Sequence, residues 1–191
     1  IYGQVLGDLC AGELRQMKQQ FVTAVNWDGY IQKSIWKTAS LFAAGTHSAP
    51  ILNGCNDQIV GAMKDYGTSL GVCFQVIDDL LDVTATASTL GKPAGSDLAQ
   101  GLITAPALYV LERGDQPAKR LEDLIRTRAV GTSEGIEEAL NIIRANGGVE
   151  QTVQLATKYA SQARDALAAL PASSYRNSLE SLTEWLLTRR S

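Results

Sequence analysis

One histidine, His47, and three cysteines, Cys10, Cys55 and Cys73, are all the imidazole and thiol that this 191-residue chain holds. The cysteines are odd in number and lack ligand spacing, which excludes a disulfide scaffold or a zinc module and suits a reduced, intracellular setting. His47 lies among small residues with no acid nearby, a place that fits packing better than base catalysis. Positive charge is not in excess: 17 Lys and Arg against 20 Asp and Glu leave a net charge of −3. That balance excludes a broad nucleic-acid footprint. No apolar run approaches the roughly 20 residues that a bilayer span needs, and no basic-then-apolar leader opens the chain. The expectation is a soluble or peripheral intracellular protein, for which cytoplasm, plastid and mitochondrion all fit.

What the chain does hold is hydrophobic residues, 45% of the total, with 19% charged, a balance that supports a packed core. Their spacing is helical. Leu9, Leu14, Met17 and Phe21 predict a helix from Asp8 to Phe21. Asp28 is placed to cap a second helix through Ile31, Ile35, Thr38, Leu41 and Phe42, with breaks supplied by Pro50 and Gly54. Asn56 or Asp57 caps a long helix through Ile59, Met63, Tyr66, Leu70, Phe74 and Ile77. After a Gly-, Pro- and Ser-rich loop, helical stretches follow at about 98–113, 117–128 (with Ser133 capping the next), 133–146, 149–169 and 174–187. No segment alternates with period two, so the predicted class is all-α, a single domain over 1–191 with helices joined antiparallel.

The long helix ends in "FQVIDDLLD", which places Asp78, Asp79 and Asp82 within one turn. No Lys or Arg lies within seven residues of them on either side. Three carboxylates at three- and four-residue spacing repel one another. The C-terminal helix dipole adds roughly 0.3–1 kcal/mol against each. A multivalent cation relieves both penalties, and oxygen-only ligands suit a hard ion such as Mg²⁺, whose shell is completed by water and substrate phosphate. A solvated acidic helix end is the bland alternative. Other residues tip the balance. Gln75 stands one turn before the acids, Lys92 lies between Gly91 and Gly95 in "GKPAGSDL", and Lys37 and Thr38 lie in "SIWKTASLF". Together they have the donor chemistry of a diphosphate–metal cradle.

These stretches resemble the trans-isoprenyl diphosphate synthases, of the long-chain polyprenyl type. "FQVIDDLLD" is similar to the second aspartate-rich motif of that family, and "GKPAGSDL" to the segment that follows it. "AGELRQM" and "YIQKSIWKTASL" resemble stretches on earlier helices. The resemblance runs from about Gly12 to Leu111. It implies the helical isoprenoid synthase fold and Mg²⁺-dependent condensation of an allylic diphosphate with isopentenyl diphosphate. It assigns Asp78, Asp79 and Asp82 to the metal, with Asp78 the direct ligand. Lys37, Thr38, Gln75 and Lys92 would contact the allylic diphosphate, and the two lysines would support catalysis by stabilising its departing charge. Family members are homodimers or heteromers, and the stretch from Tyr30 to Tyr66 would contribute to such an interface.

The family's first aspartate-rich motif has no counterpart here, since adjacent acids recur only at 122–123 and 137–138. The basic residues that bind isopentenyl diphosphate are also missing, and Leu102 stands where the family commonly carries Lys. The chain is therefore expected to be the C-terminal part of a synthase. It would be inactive alone, and completed by a missing N-terminal half or by a partner subunit. The competing expectation is a non-catalytic helical subunit retained for assembly. Product chain length, set largely by residues near the first motif, is not legible.

Overall fold

The computed structural model describes residues 1–84 and 93–189. Helices account for the regular structure there, with no strand among the described residues. In chain order these are α1 (Tyr2–Lys18), α2 (Trp27–Ser34), a π-helical turn (Ile35–Ala39), α3 (Ser40–Leu52), α4 (Asp57–Thr84) and the short α5 (Ser96–Ala99). Then follow α6 (Ala105–Glu112), α7 (Gln116–Arg126), α8 (Ser133–Ala145), α9 (Gly148–Ala166) and α10 (Ser174–Thr188). The all-α expectation holds.

Several boundaries differ from the sequence expectation, each for a local reason. The first helix begins at Tyr2 and ends at Lys18, because Phe21 turns to φ 59° and donates its amide to the Gly101 carbonyl. Asn26, not Asp28, caps α2, accepting the Gly29 amide at 2.8 Å. Thr132, not Ser133, caps α8 by accepting the Gly135 amide. Asn56 caps α4 through the Ile59 amide. Pro50 lies inside α3 and does not end it; Thr46, four residues before it, turns its hydroxyl to the Phe42 carbonyl. The stop comes at Gly54, in the left-handed conformation at φ 66° that favours glycine. The stretch 98–113 is two helices, α5 and α6, separated by left-handed Gly101 and the extended Thr104, with Pro106 in the first turn of α6.

Residues group into two compact units. The first comprises Ile1–Leu14, Gln32–Ile77 and Leu155–Arg189. Its buried side chains include Val5, Tyr66, Leu70, Val76, Ala160 and Leu186. Tyr66 donates its hydroxyl to the Leu179 carbonyl, tying α4 to α10, and Cys73 reaches the Ala156 carbonyl of α9. Small residues set how closely α4 approaches the π turn and α3. A Cβ on Gly71 would stand 2.5 Å from Ala39 Cα, and one on Gly67 would stand 2.8 Å from Ala43 Cα. On α1, Gly12 meets the Lys37 backbone in the same way, at 3.0 Å from its nitrogen.

Among the described residues the second unit comprises those of Arg15–Ile31 and Asp78–Gln154. Its core holds Tyr30, Leu98, Leu108, Leu121, Ile125, Val130 and Ile143. Asp115 caps α7 through the Ala118 amide, a bond that holds its carboxyl below the ordinary range. Arg120 of α7 grips Glu138 of α8 with two bonds of 2.6 and 2.8 Å, keeping that carboxyl ionised to lower pH than usual. Phe21 lies under the Arg128 guanidinium, 4.7 Å from its ring centre.

Two outcomes test this packing. Gly71→Ala meets backbone that cannot swing away, so overpacking outweighs the gain in helix propensity and stability falls by about 1–3 kcal/mol. Gly61→Ala, in the same helix with nothing within 4 Å of the new methyl, gains about 0.5–1 kcal/mol. Urea midpoints of the two variants should move in opposite directions. Cys73 is fully buried, and burial pushes its thiol from 9.0 up to about 12. A folded-state value above the unfolded one means that this contribution to stability is complete below pH 9.0 and is lost as pH rises toward 12. At pH 8 a thiol reagent should modify exposed Cys10 in the native protein, and modify Cys73 only after denaturation.

Candidate functional site

The residues singled out by chemistry fall in both units. In the first, Lys37 and Thr38 occupy the π turn, a wide-turn geometry often found at functional positions. Close packing of Gly12 and Gly71 against this turn fixes its backbone. Thr38 Oγ1 donates to Gln75 Oε1 at 2.7 Å, so the Gln75 amide is oriented by a hydroxyl from 37 residues earlier in the chain. Lys37 Nζ lies 3.4 Å from Glu13 Oε2, with both side chains substantially exposed. Such a pair contributes little to stability and leaves the lysine able to exchange partners.

In the second unit the three aspartates at the end of α4 have different surroundings. Asp78 is half-buried, whereas Asp79 and Asp82 are each 2% exposed. Asp79 Oδ2 accepts from Tyr30 Oη at 2.6 Å. Asp82 Oδ1 accepts from Ser96 Oγ at 2.7 Å, and its Oδ2 accepts the Asp97 amide at 3.1 Å. The Asp82 carbonyl also accepts the Gly95 amide at 2.7 Å, so this one residue ties the end of α4 to the start of α5 by three bonds. Bonds of this charge-assisted kind allow a carboxylate to remain inside a fold.

Arg144 of α8 answers the lack of nearby basic residues in the sequence. Its Nε and Nη2 both donate to the Val83 carbonyl, at 2.9 and 2.5 Å. A guanidinium thus sits against the C-terminal end of α4, where it opposes the helix dipole one residue from Asp82. Among the described residues no three His, Cys, Asp or Glu side chains form a ready metal-binding group. The donor set nonetheless fits one hard cation. Three carboxylates gather at one helix end and Asp78 is partly exposed there, matching an ion that takes one or two carboxylates and otherwise water and phosphate. Lys92 lies outside the described residues.

Tyr30, Ser96 and Arg144 were not singled out from the sequence. Tyr30 and Ser96 lie in "YIQKSIWKTASL" and "GKPAGSDL", beside residues that were, but an isolated hydroxyl announces no role. Arg144 is 61 residues from the carbonyl it binds and carries no local signal.

Comparison with known proteins agrees with these motifs. A polyprenyl synthetase family model matches residues 1–143. The chain is 39% identical over 189 residues to solanesyl-diphosphate synthase 2, chloroplastic, of Oryza sativa subsp. japonica, an alignment covering 99% of this chain and 46% of that protein. Its structure is similar to the crystal structure of heptaprenyl diphosphate synthase from Staphylococcus aureus, with a TM-score of 0.92 and 31% identity, covering 100% of this chain and 59% of that one. It is also similar to a polyprenyl synthase from Caulobacter crescentus CB15 complexed with calcium and isoprenyl diphosphate, with a TM-score of 0.91, 30% identity and coverage of 100% and 58%. The chain spans about half the length of the curated relatives it matches. With a family model matching most of its length and an aspartate-ended helix of the kind described, the chain belongs to the polyprenyl synthetase family.

Proposed function

We propose that this chain is the diphosphate- and metal-holding part of a polyprenyl diphosphate synthase, which condenses an allylic diphosphate with isopentenyl diphosphate. The observation that carries the reading is the state of α4 at its acidic end. Gln75 is oriented by Thr38, and three residues later Asp78 keeps partial access to solvent, with the Tyr30 and Ser96 hydroxyls holding Asp79 and Asp82 beside it. Asp78 would ligate Mg²⁺, with Asp79 and Asp82 adding negative charge behind it. Mg²⁺, when bound, would neutralise the charge gathering on the departing diphosphate. Gln75 and Thr38 would offer polar atoms to that diphosphate, Lys37 would exchange Glu13 for it, and Lys92 would add a second positive charge. The Caulobacter relative, complexed with calcium and isoprenyl diphosphate, supports a hard cation and this substrate class.

The site for isopentenyl diphosphate and the first aspartate-rich motif would come from sequence outside these 191 residues, whether an N-terminal half or a partner subunit. A homodimer or heteromer is part of the same proposal.

Two measurements test it. Asp78→Ala in the complete synthase should lower prenyl transfer by about 100-fold or more while leaving the unfolding midpoint near that of the parent. Retained turnover would refute the metal assignment. The 191-residue chain alone, given both substrates and Mg²⁺, should form no prenyl product in a radiolabel assay, and measurable product would show that it needs no further sequence.

A further inference from the structure

Asp79 is enclosed in an unusual way for an acid next to a proposed metal ligand. Its carboxylate is 2% exposed, and the Tyr30 hydroxyl that it accepts is on a residue only 1% exposed. Tyr30 is itself held in place. The Trp27 ring meets it edge-on, at 5.8 Å between centres and 90° between planes. The Trp27 indole Nε1 donates to Glu112 Oε2 at 2.6 Å. A connected path therefore runs from the end of α6, through two aromatic residues of α2, to the acid beside Asp78.

A buried phenol needs an acceptor, and a backbone carbonyl would serve as well as a carboxylate. A carboxylate buried beside a second acid needs more: a short bond that also fixes the direction of its oxygens. Successive residues on a helix point about 100° apart, so fixing Asp79 inward also fixes the direction in which Asp78 leaves α4. We infer that Tyr30 is a positioning residue for cation binding. By holding Asp79 in one rotamer at the end of α4, it sets the direction in which Asp78 leaves that helix end. This inference rests on the proposed metal role of Asp78.

The test is Mn²⁺ affinity, read by electron paramagnetic resonance on the complete protein with inorganic diphosphate present, well below the unfolding temperature. Four variants are compared with the parent: Tyr30→Phe, Asp78→Asn, Asp79→Asn and the Tyr30→Phe, Asp79→Asn double variant. Tyr30→Phe should weaken Mn²⁺ binding about 10-fold, the order seen when a residue supporting a metal ligand is removed. The double variant should bind no more weakly than Asp79→Asn, because Tyr30 acts through Asp79. Additive losses, or affinity unchanged in Tyr30→Phe while Asp78→Asn loses binding, would overturn the inference and leave the proposed function standing. Unchanged affinity in Asp78→Asn would instead remove the proposed function and this inference together. Should Tyr30→Phe fail to fold, Trp27→Phe keeps the phenol but removes the indole bond to Glu112. It should then weaken Mn²⁺ binding by about 2- to 3-fold, and parent-like affinity would overturn the inference.

Discussion

Accommodating buried carboxylates at the C-terminal end of a helix is the constraint to which the surrounding second unit responds. Helix dipole, mutual repulsion and burial all act against Asp79 and Asp82. Each of the neighbouring elements supplies one remedy: a phenol from α2, a hydroxyl and an amide from the start of α5, and a guanidinium from α8 on the adjoining carbonyl. None of these donors is near α4 in sequence. The last turn of α4 therefore serves as a point to which the rest of its unit is referred, and any change in one donor is felt at the same few atoms.

The first unit meets a different demand, close approach of backbones. Gly12 and Gly71 let α1 and α4 come near the turn that carries Lys37 and Thr38, and Gly67 does the same for α4 against α3. The Thr38–Gln75 bond then joins two side chains whose backbones are already fixed. Orientation here is inherited from packing. A short hydroxyl-to-amide bond can select one amide orientation because neither partner has room to drift.

Helix identity and the acidic motif were legible because both are local signals. Apolar residues at three- and four-residue steps mark α4 through Tyr66, Leu70 and Ile77, and the charges of Asp78, Asp79 and Asp82 stand out at its end. The ends of helices were less legible. Asn26 and Thr132 took capping roles assigned to Asp28 and Ser133, since adjacent polar residues are nearly equivalent until the backbone direction is known. Pro50 reads as a break in sequence, yet α3 runs through it to Leu52. The partners of the acids were not legible at all, because Tyr30, Ser96 and Arg144 acquire their roles through contacts 14 to 61 residues away.

The π turn at Ile35–Ala39 carries a consequence for chain length. An α-helix advances about 100° per residue, so one wide turn shifts the phase of every side chain that follows. Loss of a single residue there would let the turn relax to ordinary α geometry, in which one residue fewer winds about as far, so the phase of α3 is nearly kept. Ser40, Ala44 and Pro50, all buried now, would stay close to the face they occupy. Between Trp27 and Leu52, then, Ile35–Ala39 is the place where the length of the chain can change by one residue at least cost. Elsewhere in α2 and α3 a lost residue would turn every later side chain by about 100°, so substitutions are absorbed there far more readily than a deletion.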